Sequence, residues 1–174
     1  MKIKKFKILF LFLLFAGSLH AQVSEYEYKA AFIERFTRFV DWPNGIEDDT
    51  FKIAVLGKTP IMASLNELFA DLKIKDKDVE IIYTDEISDL KNANLVFISS
   101  SEKKSIKEIL AFTGKYPILT ISDSRGYGAL GVHINMYEDN NYIRYEINQE
   151  AIIKSNLKVS SLLLASAKIV KSDD

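Results

Sequence analysis

The sequence predicts a single α/β domain: a mostly parallel sheet flanked by helices on both faces, with an antiparallel hairpin at its C-terminal edge. Three observations predict it. Four short β-branched runs are apolar on both faces, as strands covered on two sides are. Helical segments alternate with them, the rhythm of parallel strands joined by right-handed crossovers. After Gly126 the pattern becomes two alternating stretches joined by EDNN, a turn-forming run that marks a hairpin.

The chain opens with MKIKKFKILFLFLLFAGSLHA, four Lys followed by an apolar run over 8–16 and then small or polar residues up to Ala21. That order is the pattern of a cleavable signal peptide, expected over residues 1–21, and it predicts export of a domain spanning 22–174. Its removal leaves 153 of 174 residues, enough for one core. The four leader Lys belong to a total of 23 basic residues, so 19 remain against 24 acidic ones. No cationic stripe is left to neutralise phosphates, and nucleic acid is not expected as a partner. The chain has no Cys, which excludes disulfides, thiol catalysis and a lipid-modified cysteine anchor.

The elements follow in order. Over 24–40, Tyr28, Phe32, Phe36, Phe39 and Val40 recur at helical spacing, and Glu25/Lys29 and Glu34/Arg38 form acid-before-base pairs four apart. Pro43 ends this helix at Trp42. A bulky aromatic just past a helix end either plugs the core or presents its indole to a partner, and the plug is the expectation here. FKIAVLG (51–57), VEIIY (79–83), NLVFIS (94–99) and PILTIS (117–122) read as buried strands. Helices are expected over 60–72, starting at Pro60, and over 102–112, where Ser99 and Glu102 fit a capping box. The hairpin comprises 131–137 and 142–147, with Ile143, Tyr145 and Ile147 facing in and Tyr142, Arg144 and Glu146 facing out. Asn148 caps a helix over 149–155, Asn156 closes it, and Ser160 caps a last helix running through SLLLASAKIV.

Catalytic motifs do not assemble. Gly57-Lys58-Thr59 lacks the upstream Gly of a phosphate-binding loop, since Lys52 stands there, and reads as a turn leaving a strand. His133 is the only His after the leader and falls in a strand, where a structural role is expected. With no Cys and no second His nearby, a zinc site is not expected, and no cofactor motif is present. A Ser-His-Asp set drawn from Ser99 or Ser122, His133 and Asp123 lacks a strained Gly-flanked nucleophile turn. Loops leaving the carboxyl ends of the strands do carry Lys58, Ser99, Ser100, Asp123 and Arg125, a candidate small-ligand site at the position such sheets favour.

A resemblance adds to this reading. YKAAFIERFTRFVDWP, IAVLG, ISDS followed by Gly, YEIN and LKVSSLLLASA, in this order after a signal peptide, resemble the YfiR family of periplasmic regulators. The resemblance implies a periplasmic, non-enzymatic α/β domain without a cofactor. It implies action by binding the sensory domain of a membrane-bound diguanylate cyclase or histidine kinase, with an outer-membrane lipoprotein relieving the repression. Better-known members carry disulfide-forming Cys residues linked to redox control, and their absence here removes that input. The surface expected to meet the partner lies beside YEIN: Arg144 and Glu146 on the hairpin, and Ile152 and Lys154 on the following helix, an apolar residue rimmed by charge. The net charge is compatible with either a monomer or a homodimer.

Overall fold

In the computed structural model, which describes residues 24–172, Ser24 caps α1 (Glu25–Phe39) by accepting from the Glu27 N–H at 3.2 Å. Both expected ion pairs form along it, Lys29 with Glu25 at 2.5 Å and Arg38 with Glu34 at 2.6 Å. The helix face is set differently from the aromatic stripe. Ala30, Ile33, Phe36 and Thr37 are buried, whereas Tyr28 is 53% exposed and Phe32 and Phe39 sit half-buried on the flank.

The chain then runs through β1 (Val40–Asp41), β2 (Thr50–Leu56), α2 (Ile61–Leu68), β3 (Asp78–Thr84), β4 (Leu95–Ile98), α3 (Ile106–Thr113) and β5 (Leu119–Ser122). It continues with α4 (Tyr127–Leu130), β6 (Ile134–Asp139), β7 (Tyr142–Asn148), α5 (Gln149–Lys154), β8 (Lys158–Val159), α6 (Ser161–Ala165) and β9 (Lys168–Val170). Seven strands form one sheet in the order β3-β2-β4-β5-β6-β7-β9. The pairs from β3 to β6 are parallel, β6 and β7 form the antiparallel hairpin, and β9 lies parallel to the last three residues of β7. The tip of the hairpin therefore remains sheet edge while its base is extended by one short strand.

Both faces of the sheet are buried, as the two-sided apolar runs require. One carries Phe51, Ile53, Val55, Leu95, Phe97, Ile121, Met136, Tyr145 and Ile147 against α1 and α2. The other carries Ala54, Leu56, Val96 and Ile98 against α3 and Tyr127. Trp42 is 7% exposed, donates Nε1–H to the Asn94 carbonyl at 3.2 Å and meets Phe51 edge-on at 5.2 Å between centroids. It is a core plug.

Three expected helices are shorter or of another kind. α2 stops at Leu68, and the chain turns through Lys75 and Asp76, both with positive φ, into β3. Ser99 caps a 3-10 turn over Ser100–Lys104 through the Ser101 N–H, and Glu102 spends its carboxylate on the Ser101 hydroxyl, so the reciprocal capping box does not form. The last helix ends at Ala165 because Ser166 Oγ turns back to the Leu162 and Leu163 carbonyls, freeing the β-branched Ile169 and Val170 to pair with β7. Removal of Trp42 from water predicts a blue-shifted emission protected from iodide, which moves to the red together with loss of far-UV ellipticity on unfolding. As the chain has one Trp, the spectrum reports this site alone.

Candidate functional site

The segment between β5 and β6 shapes the polar end of the sheet. Lys29, 8% exposed at its side chain, reaches across from α1 to pair with Asp123 at 2.6 Å. Burial disfavours its charge, but the Asp123 and Glu25 carboxylates outweigh that and raise its pKa. Beyond Asp123, a left-handed Gly126 (φ +86°) turns the chain into α4, which lies against β7. At Gly128 a Cβ would stand 2.6 Å from Glu146 Oε1, so a larger residue here would oblige the carboxylate to shift away. Asn148, fully buried, donates to the Gly128 carbonyl at 2.9 Å and caps α5 through the Ala151 N–H at 2.9 Å.

Glu146 is consequently not an outward-facing residue. It shares a face with Arg144, but α4 covers that face at Glu146, which is 8% exposed. Its carboxylate accepts from Asn135 Nδ2 at 3.1 Å and pairs with Lys168 at 3.3 Å. Ile152 is likewise no surface residue; it is 1% exposed in the core, and its neighbour Ile153 points out at 64% exposure. Arg144 and Lys154 are exposed as expected, and Arg144 lies 5.8 Å from the Tyr142 ring centroid.

The strand-end residues divide into two groups. Lys58, Ser99 and Ser100 belong to the β2 and β4 loops, where Ser99 Oγ donates to the Lys58 carbonyl at 2.5 Å and the Lys58 N–H donates to Ser101 Oγ at 3.0 Å. Gly57 lies under Ser101 and Glu102 with φ +81°, a tight turn whose hydroxyls are occupied in closing it. Asp123 and Arg125 belong instead to a cleft of about 620 Å³ with Asn135, Tyr137, Glu138, Glu146 and Lys168. Of these, Asn135, Tyr137, Glu138 and Lys168 escape sequence reasoning. Asn135 and Tyr137 lie on an expected strand whose polar residues carry no assignment, Glu138 falls in the expected EDNN turn but extends β6, and Lys168 falls in the segment expected to be helical.

His133 is structural. The Thr120 N–H donates to its Nδ1 at 3.0 Å, so the ring proton sits on Nε2 and points at Ser155 Oγ 2.9 Å away, the wrong tautomer for a base toward that hydroxyl. Ser122 Oγ donates to the Ile98 carbonyl at 2.7 Å, and Ser99 is occupied as described, so neither faces His133 as a nucleophile. Among the described residues no group of acidic and His side chains is arranged to hold a metal ion.

The fold and site define a three-layer α/β protein with a polar cleft at the carboxyl end of the sheet. More particularly, the chain belongs to the YfiR/HmsC-like family, whose match extends over residues 26–168. Among curated proteins nothing matches the chain. Of solved structures, it is similar to a conserved domain protein from Vibrio cholerae O1 biovar El Tor strain N16961, with a TM-score of 0.55 and 11% identity. That likeness covers 85% of this chain and 60% of the other, and it extends to the fold.

Two outcomes follow from the buried polar contacts. Burial pushes the His133 pKa down to about 4 from the usual 6.5, so the unfolded chain takes up the proton first as pH falls. Stability is therefore lost between about pH 6.5 and 4, by on the order of 3 kcal/mol, and His133→Asn flattens that part of the acid limb in urea titrations. Lys29→Met and Asp123→Asn each cost about 1–3 kcal/mol by stranding a partly buried charge, and the double variant costs less than the sum of the two.

Proposed function

We propose that this protein is a periplasmic regulator that binds the exported sensory domain of an inner-membrane diguanylate cyclase and holds the enzyme inactive. Such a protein acts by binding, as YfiR-like regulators do, and through the cyclase it influences cyclic di-GMP levels and biofilm formation. The observation that carries this reading is family membership across residues 26–168, nearly the whole described fold. Export rests on the leader pattern over residues 1–21, which lies outside the described residues. Among those described, no helix is long and apolar enough to cross a membrane.

The surface proposed for the partner shifts with the structure. Arg144 and Tyr142 stay exposed on the hairpin tip, and Lys154 with Ile153 on α5, so the exposed apolar residue of that helix is Ile153 rather than Ile152. An outer-membrane lipoprotein that relieves repression, and a homodimer, are compatible with the same reading.

The test is affinity capture from solubilised membranes with the tagged chain. Recovery of a diguanylate cyclase, with lowered cyclase activity on adding the protein, is expected. Capture of a histidine kinase instead reassigns the enzyme, and no membrane partner overturns the reading. Arg144→Glu combined with Lys154→Glu should weaken capture at least tenfold with unchanged melting temperature. Ile152→Asp should unfold the domain, at a cost upward of about 4 kcal/mol, because it buries a charge in the core.

A further inference from the structure

Alone among the asparagines of the chain, Asn44 precedes a glycine. Pro43 and Asn44 occupy the middle of a turn that the Gly45 N–H closes by donating to the Trp42 carbonyl at 3.1 Å. Pro43, Asn44 and Gly45 are exposed, whereas Trp42 just before them is buried. The carboxamides of Asn94, Asn135 and Asn148 are held by hydrogen bonds inside the fold, and that of Asn44 stands in solvent.

An asparagine amide carbon lies within reach of the next residue's backbone nitrogen, and attack there closes a five-membered ring. A side chain on that next residue crowds the ring, and glycine has none. Gly45 adopts φ +72°, and nothing lies within 4 Å of where its Cβ would stand, so the ring has room to form. The restraint on the nitrogen is its hydrogen bond to Trp42, which sits at the surface where water competes for both groups.

We propose that Asn44 is a site of spontaneous covalent modification, converted in the folded protein to aspartate and isoaspartate, and that the isoaspartate form loosens the Trp42 plug. Hydroxide takes the proton of the Gly45 nitrogen, which bonds to Asn44 Cγ. The Cγ–Nδ2 bond breaks, and ammonia leaves with a proton drawn from water. Water then opens the cyclic imide: cleavage at the side-chain carbonyl gives aspartate, and cleavage at the main-chain carbonyl gives isoaspartate. The second product routes the backbone through the former side chain, one methylene longer, so the turn from the Trp42 carbonyl to the Gly45 N–H no longer closes in register. Trp42 lines a solvent-open cleft of about 250 Å³ together with Asn44 and Gly45, and water reaches the indole from there once the turn loosens. The inference rests on this turn and its chemistry, independently of any partner.

Purified protein is held at neutral and at mildly alkaline pH and digested with trypsin. The peptide 39–52, released by cleavage after Arg38 and Lys52, is followed by liquid chromatography and mass spectrometry beside a synthetic peptide of the same sequence. A gain of about one mass unit at Asn44 is expected, divided between two chromatographic peaks and faster at higher pH. Loss of one exposed hydrogen bond sets the cost of reaction in the folded state, so the folded protein should react no more than about tenfold more slowly than the free peptide. Trp42 emission should move to the red in step with the isoaspartate peak. Asn44→Gln should abolish both changes with an unaltered melting temperature, and freshly prepared Asn44→Asp, which carries the charge without the longer backbone, should keep the blue-shifted emission. The proposal is overturned if the folded protein keeps its mass while the free peptide reacts, if another asparagine reacts first, or if Trp42 emission stays constant as isoaspartate accumulates.

Discussion

Glu146 and Gly128 approach so closely that a single methyl group between them would collide with the carboxylate, and much of the polar half of the molecule follows from that contact. It presses α4 onto β7, buries a carboxylate, and obliges the fold to supply that carboxylate with partners. Asn135 and Lys168 supply them, from the strands on either side of β7. A buried carboxylate without them would carry its full desolvation cost, so β9 has a reason to be a strand: it delivers Lys168 to the pair register opposite Glu146. Lys29 performs a similar task from the helical layer, tying the second turn of α1 to the residue that follows β5. A cation there is disfavoured by the helix dipole, and the two carboxylates it meets offset that cost.

Elements whose pattern depends on neighbours within the chain were legible in the sequence. The β-branched runs, the Asn148 cap and Asn156 at φ +57° are local signals, and each lies where its residues indicate; of EDNN only Asn140 and Asn141, both at positive φ, form the turn, while Glu138 and Asp139 extend β6. Trp42 was legible too, since Pro43 ends the helix and leaves the indole to fill the space. Features set by long-range packing were not. Tyr28 has the spacing of a buried residue, but the stripe chosen by the sheet runs through Ala30 and Ile33, one step around the helix. In six-residue α5, one turn cannot tell Ile152 from Ile153 by period, so the sheet decides which is buried.

The site was legible in part for the same reason. Asp123 and Arg125 stand at a strand end where open sheets gather ligands, and the rule located them. Lys58, Ser99 and Ser100 satisfy the same rule, yet the Ser99 hydroxyl and the Lys58 backbone groups are taken up in closing the turn with Ser101, and no sequence pattern distinguishes a loop that is spent from one that is open. Glu146 was read by strand alternation, which gives the face correctly but not what covers it. The cover comes from a four-residue helix too short to leave a periodic signal.

The motifs that carried the resemblance now have a physical meaning. Lys29 of YKAAF meets Asp123 of ISDS, Val40 of FVDWP pairs with Val159 of LKVSS, and Glu146 and Asn148 of YEIN hold Gly128 and Asn135. These are joints between distant segments, where a change on one side strands a buried group on the other. A signature made of joints identifies the fold without describing its recognition surface. Among the described residues free of such duties are Arg125 and Glu138 at the cleft rim and Arg144, Ile153 and Lys154 on the exterior. Differences in what members of one such fold bind can arise at those positions at little cost in stability, because exposed side chains without buried partners are the ones that substitution disturbs least.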